Sequence, residues 1–160
     1  MRGPSAPRSV RAGATVETGP LRLTVTAARV TPGQLGPARA KAPADHWVVV
    51  LVTAEVTGDE SYNQVGRHLT IEGVNGIVDR EPTILMVDDA DFAEYLHPGV
   101  PARLAVAWGQ DASAAAPAHL DVRLVAAKYQ LDTSDLYAWR LVRDAAVVED
   151  VPVVDRRSPA

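Results

Sequence analysis

Apolar and polar residues alternate without a break through Leu21-Arg-Leu-Thr-Val-Thr-Ala27, the mark of a strand with one face buried. Leu21, Leu23 and Val25 are expected to point inward. Thr18-Gly19-Pro20 supplies a turn before this strand, which makes residues 14–17 a short preceding strand. Residues 31–44 carry three prolines, two glycines and scattered Arg and Lys, so they read as an exposed connection, long for a loop. Within residues 46–56, Trp47-Val-Val-Val-Leu-Val52 is apolar on both faces and Thr53-Ala-Glu-Val56 alternates again. That is the pattern of a central strand in a sheet covered on both sides at one end.

After a turn at residues 57–60, His68-Leu-Thr-Ile-Glu72 and Ile77-Val-Asp79 flank Asn75-Gly76, the pair favoured in tight hairpins because both positions tolerate positive φ. A hairpin is expected there. Residues 88–96 suggest a helical turn, with Asp91 as cap, Glu94 as its reciprocal partner and Pro98-Gly99 as the stop. Alternation returns in residues 100–108, with Ala102, Leu104, Val106 and Trp108 on one face, and residues 111–117 form an alanine-rich loop. His119-Leu-Asp-Val-Arg-Leu124 is the cleanest amphipathic strand, burying Leu120, Val122 and Leu124. Residues 136–142 fit two readings. Asp132-Thr-Ser-Asp135 can cap a helix with Leu136, Trp139 and Val142 on one side, while Tyr137, Trp139 and Leu141 equally fit a strand. Residues 147–154 resemble a last edge strand, where Pro152 is tolerable. About seven or eight strands with turns between them, and no sustained helical pattern, give an all-β fold: an immunoglobulin-like antiparallel β-sandwich with one or two short helical turns.

Length and composition set the frame for these elements. A chain of 160 residues, 47% hydrophobic and 22% charged with net charge -4, has the size and balance of one globular domain. Residues 1–13 are linker-like, 14–154 form the domain and 155–160 are expected to fray. With Phe92 the sole phenylalanine, core volume must come from aliphatic side chains and from Trp47, Trp108 and Trp139. The absence of cysteine removes disulfides, thiolate metal sites and cysteine nucleophiles. No apolar run reaches the length of a membrane helix, and residues 1–15 lack a signal-peptide core, so the chain as written reads as soluble.

Candidate chemistry is sparse. Asp88, Asp89, Asp91 and Glu94 form the best carboxylate cluster for a hard cation, but they lack the sharp-turn glycine and ligand spacing of an EF-hand loop, and a solvated, capped turn is the stronger reading. His46, His68, His97 and His119 show no paired metal-ligand spacing; only the fold could gather them, with Met86 as a soft copper ligand. Ser61, Ser113 and Ser134 sit in no G-x-S-x-G elbow, and there is no glycine-rich phosphate loop. No catalytic residue and no cofactor are assigned. The dispersed positive charge of a net-negative chain argues against nucleic acid, Lys128, Arg140 and Arg143 being at most a small basic patch. Trp47 and Trp108 sit at the ends of apolar strands and read as core anchors. Tyr137, Trp139 and Arg140 are the candidates for a binding surface.

The order of signals is familiar: a Gly19-Pro20 turn into residues 21–30, a Trp-Val-Val-Val strand ending in Thr57-Gly58, the Asn75-Gly76 pair, then Leu96-His-Pro-Gly99 leading into a strand with an aromatic end. It resembles uncharacterised immunoglobulin-like domains of bacterial lipoproteins and small membrane-anchored envelope proteins, particularly of high-GC bacteria, over residues 16–124. The resemblance implies a non-enzymatic, extracytoplasmic module that binds a protein or a cell-envelope component and meets a membrane only through an anchor. Two departures stand out: this chain carries no anchor, and residues 129–160 extend past the resemblance. The linker-like opening leads us to expect an apolar anchor encoded upstream of Met1. The alternatives are a structural or assembly subunit docking through a sheet edge, a small-molecule or metal carrier, and a cytoplasmic location.

Overall fold

A computed structural model describes residues 8–35, 38–39, 46–88, 91–93, 95–131 and 136–156. In chain order the strands are β1 Arg8–Val10, β2 Thr15–Glu17, β3 Leu21–Pro32, β4 Gln34–Leu35, β5 Ala38–Arg39, β6 His46–Val56, β7 Leu69–Glu72, β8 Thr83–Met86, β9 Ala102–Gln110, β10 His119–Leu131 and β11 Tyr137–Asp155. A 3-10 turn, Val65–His68, precedes β7. One sheet runs β7-β10-β11 with β1 beside β11; the other runs β2 beside β3, then β6, β9 and β8. The β-sandwich expected from the alternating pattern is the fold observed.

The pairing is mixed rather than antiparallel throughout. β1 runs parallel to β11, and the end of β11 runs parallel to β3 through Val153↔Ala28, Val154↔Arg29 and Asp155↔Val30. The cause is that β11 serves both sheets. Its ladder with β10 slips between Leu120 and Val122, Asp150 takes φ 53°, and the Asp150 N–H donates to Asp121 Oδ1 at 3.0 Å. Such a bend turns a strand from one sheet into the other at the corner of a sandwich.

The core between the sheets is aliphatic. Leu21, Leu23 and Val25 of β3, Val48, Val50 and Val52 of β6, and Leu120, Val122 and Leu124 of β10 all meet there, with Trp108. In β3 the inward positions are odd up to Val25 and even from Ala28 onward, because a bulge lies between Val25 and Ala27. One extra residue moves the later side chains to the opposite face, so the simple alternation stops where the bulge begins. β6 lies between β3 and β9 and is covered on both faces. Trp47 and Val49 join Leu85, Ala105 and Ala107 in a second cluster on the outer side, where the Trp47 indole N–H donates to the Gly33 carbonyl at 2.7 Å.

Two expectations are corrected, and one open reading is resolved. Asn75-Gly76 does not join two neighbouring strands: β7 pairs with β10, whereas Ile77 bridges Gln110 at the end of β9 in the other sheet. Gly76 still takes the positive φ that its turn requires, at 75°, and the Asp111 N–H donates to its carbonyl at 2.8 Å. The helical turn at residues 88–96 is absent among the described residues. Phe92 bridges Leu85 of β8 and Leu96 bridges Tyr62, so backbone pairing across the sheet overrides the local capping signal. Of residues 136–142, which fit helix and strand alike, all from Tyr137 onward are strand, because they complete the ladder with β10. At the ends, Arg8 and Ser9, read as linker, pair with Ala146 and Val147, and the Arg156 N–H donates to the Val30 carbonyl at 2.8 Å.

Candidate functional site

β7 covers only residues 121–124 of β10, while β10 and β11 remain paired out to Leu131↔Tyr137. The far end of this hairpin therefore extends beyond its sheet neighbour. Side chains on one face of an antiparallel pair meet their cross-strand and diagonal neighbours. Here Tyr129 lies opposite Trp139, their ring centroids 5.4 Å apart and tilted at 48°. Tyr129 also stacks on Tyr137 at 5.4 Å and 29°. The result is a three-ring aromatic strip. Tyr129 and Tyr137 are 55% and 63% exposed, whereas Trp139 is half-buried and packs against the edge of the main core.

This strip forms one wall of a groove of about 630 Å³. Facing it is the loop 58–64, which contributes Asp59, Glu60, Ser61, Asn63 and Gln64, with Arg67 behind. The loop is fixed at both ends. At its base the Thr57 N–H donates to the Pro20 carbonyl (3.0 Å) and the Thr57 hydroxyl to the Gly19 carbonyl (2.9 Å). Farther on, Tyr62 and Leu96 exchange backbone hydrogen bonds of 2.9 and 2.8 Å. Arg67 Nη1 donates to Gln64 Oε1 at 2.7 Å.

Beneath the groove lies a buried polar pair. His68 Nδ1 is 2.7 Å from the Val125 carbonyl, an acceptor only, so Nδ1 carries the proton. Nε2 then accepts from the Tyr62 hydroxyl at 2.6 Å. Burial pushes the Tyr62 phenol up to about 12, opposed by the Arg67 charge. Burial likewise lowers the His68 pKa, the Val125 carbonyl opposing and Arg67 adding to the shift. Both groups are neutral near pH 7, and together they hold the 3-10 turn, the groove floor and β10 in one arrangement.

Of the expected binding residues, Tyr137 and Trp139 come together on the groove wall. Arg140 follows Trp139 along the strand, is paired with Lys128, and projects to the opposite face. Tyr129, Tyr62 and the polar loop were missed by the sequence reading. Tyr129 was legible in principle, since strand alternation through 129–131 and 137–139 places it beside Trp139 once the segment is taken as strand.

Elsewhere, Asp88 forms an exposed ion pair with Arg103 at 3.8 Å, and Asp91 Oδ1 accepts from the Phe92 N–H at 2.8 Å. Asp89 and Glu94 lie outside the described residues. Among the described residues no three His, Asp or Glu side chains converge on a metal position. His46 is buried against Gln110, and His97 Nδ1 lies 3.0 Å from the Ser61 hydroxyl. That contact reverses a hydrolytic triad, in which Nδ1 faces the carboxylate and Nε2 the serine. Arg123, by contrast, ties three strands together through Glu72 at 2.7 Å and Asp144. No helix among the described residues is long and apolar enough to cross a membrane.

No protein-family model matches the chain, and no curated protein matches it. Among solved structures, an uncharacterised β-sandwich protein of Clostridium difficile 630 superposes with TM-score 0.52 at 10% identity, covering 78% of this chain and 91% of that one. A lipoprotein candidate of Bacillus subtilis subsp. subtilis str. 168 gives TM-score 0.41 at 10% identity, over 81% of this chain and 38% of that one. At this identity the first of these likenesses shows a shared fold: the chain is similar to a bacterial β-sandwich protein in architecture.

Proposed function

We propose that this domain is a binding module of the bacterial cell envelope, acting outside the cytoplasm without a catalytic step and holding its ligand in the groove between the aromatic strip and the loop 58–64. One observation carries the reading: two tyrosines more than half exposed stand beside Trp139 on the paired strands β10 and β11, facing a loop of polar side chains. Concave sites that combine apolar or aromatic surface with a few convergent polar groups are the usual form of ligand sites. The envelope location rests on the resemblance to anchored envelope domains. Co-sedimentation with isolated bacterial cell envelopes tests the proposal. Wild-type protein should be retained and Tyr137→Ala released, since this exposed side chain contributes little to folding. Equal behaviour of the two would refute it.

A second reading, assembly through a sheet edge, is favoured by β7. It stands at the end of its sheet and, among the described residues, pairs with β10 alone. Open edges of this kind are templates for strand addition. A monomeric mass in solution at high micromolar concentration would sink this reading.

A further inference from the structure

We propose that the groove takes neutral pyranose rings, so that the envelope component recognised is a glycan. The inference rests on the binding-module reading above and names the ligand class of that same site. A pyranose ring has an apolar face of C–H groups and a rim of hydroxyls, each able to donate and to accept. Tyr129, Tyr137 and Trp139 offer ring faces and edges for the first. The opposite wall serves the second with both polarities: Asp59 and Glu60 accept, Arg67 donates, and Ser61, Asn63 and Gln64 do both.

The charges decide against the competing classes. An anionic ligand would meet Asp59 and Glu60 together; a cationic one drawn to the aromatic rings would meet Arg67 on the same wall. A neutral polyol uses both signs at once. A peptide added as a strand requires free backbone groups, but along the aromatic wall the facing backbones of β10 and β11 are paired with each other. What the groove presents is side chains. Its volume, about 630 Å³, lies within the usual range for small-ligand sites.

The test uses the full chain and defined probes: cello-, malto-, xylo- and chito-oligosaccharides, with oligogalacturonate, tetramethylammonium and a mixed tryptic peptide digest as competing classes. A ligand-induced change in tryptophan emission reports mainly Trp139, because Trp47 and Trp108 are buried and do not line the groove, and amide chemical shifts locate the contact. At least one neutral oligosaccharide should give a saturable change centred on residues 58–67, Tyr129 and residues 137–139. Tyr137→Ala should weaken it by roughly tenfold or more, as expected for loss of one stacked face. Trp139→Phe, which keeps an aromatic face and the packing, should hold affinity within about threefold, while Trp139→Ala loses it. Saturation by the peptide digest, oligogalacturonate or tetramethylammonium in place of the neutral sugars would overturn the proposal, as would sugar binding indifferent to Tyr137→Ala. If every sugar is silent while envelope co-sedimentation still depends on Tyr137, the glycan assignment fails and the groove reading stands. If both are silent, both fail.

Discussion

Replacing Gly19 by alanine tests how the groove is joined to the sandwich. Gly19 takes φ 98°, where a residue with a Cβ loses roughly 1–2 kcal/mol. The added Cβ would also lie 2.1 Å from the Ala127 carbonyl oxygen and 3.2 Å from Trp139 Cζ3. The first contact is with backbone in a strand, so no rotamer change relieves it. β10 must shift, at an overpacking cost of about 1–3 kcal/mol. The shift also strains the Ala127 N–H bond to the Thr18 carbonyl, 2.8 Å long, which contributes about 0.5–1.5 kcal/mol. We expect a total loss of about 2.5–6.5 kcal/mol, equivalent to a fall in Tm of roughly 5–26 °C for a chain of this size. Gly13→Ala is the control. Gly13 has φ 95° but nothing within 4 Å of an added Cβ, so it should lose only the conformational part, about 1–2 kcal/mol. Thermal melts followed by circular dichroism compare the two, and emission from Trp139 should change in Gly19→Ala alone. Equal losses would refute the packing argument, and an unchanged Tm in both would refute the backbone argument as well.

Three further outcomes follow from the same geometry. Leu23→Ala and Val50→Ala both truncate fully buried side chains of the main core and should cost about 2–5 and 1–3 kcal/mol in urea unfolding; unchanged midpoints would show that the register is wrong. The folded His68 pKa lies below its ordinary value of 6.5, so as pH falls below 6.5 the unfolded chain binds a proton that the fold resists. The corresponding stability is complete above that pH and is lost toward the lower, folded pKa; a His68 ring titrating at or above 6.5 by NMR would contradict this. Arg123→Ala removes partly exposed ion pairs to Glu72 and Asp144 and should cost about 0.5–1.5 kcal/mol, less in high salt; a larger, salt-insensitive loss measured by urea unfolding would mean that its packing dominates.

The alternation in β3, β9 and β10 and the two-sided apolar run of β6 were enough to define the strands and most of the inward positions, because burial of one sheet face imposes a period of two directly on the sequence. Trp47 and Trp108 were legible as anchors for the same reason. The candidate site was legible only in fragments. Tyr137 and Trp139 stood in a segment whose local signals fit helix and strand alike, and it is the long ladder with β10 that makes it strand and brings Tyr129 beside them. The polar wall comes from a loop far away in the sequence, positioned by Tyr62, Leu96 and Thr57 through backbone contacts that leave no local pattern. Asn75-Gly76 shows the same division: the residues dictate a turn with positive φ, but which strands that turn connects is decided by long-range pairing. Local steric preference acts over a few residues, whereas partner choice depends on the burial that the whole sandwich achieves. The capping signal around Asp91 yielded to backbone pairing beside β8, since one cap contributes about 0.5–2 kcal/mol and competes with several strand hydrogen bonds and the burial behind them.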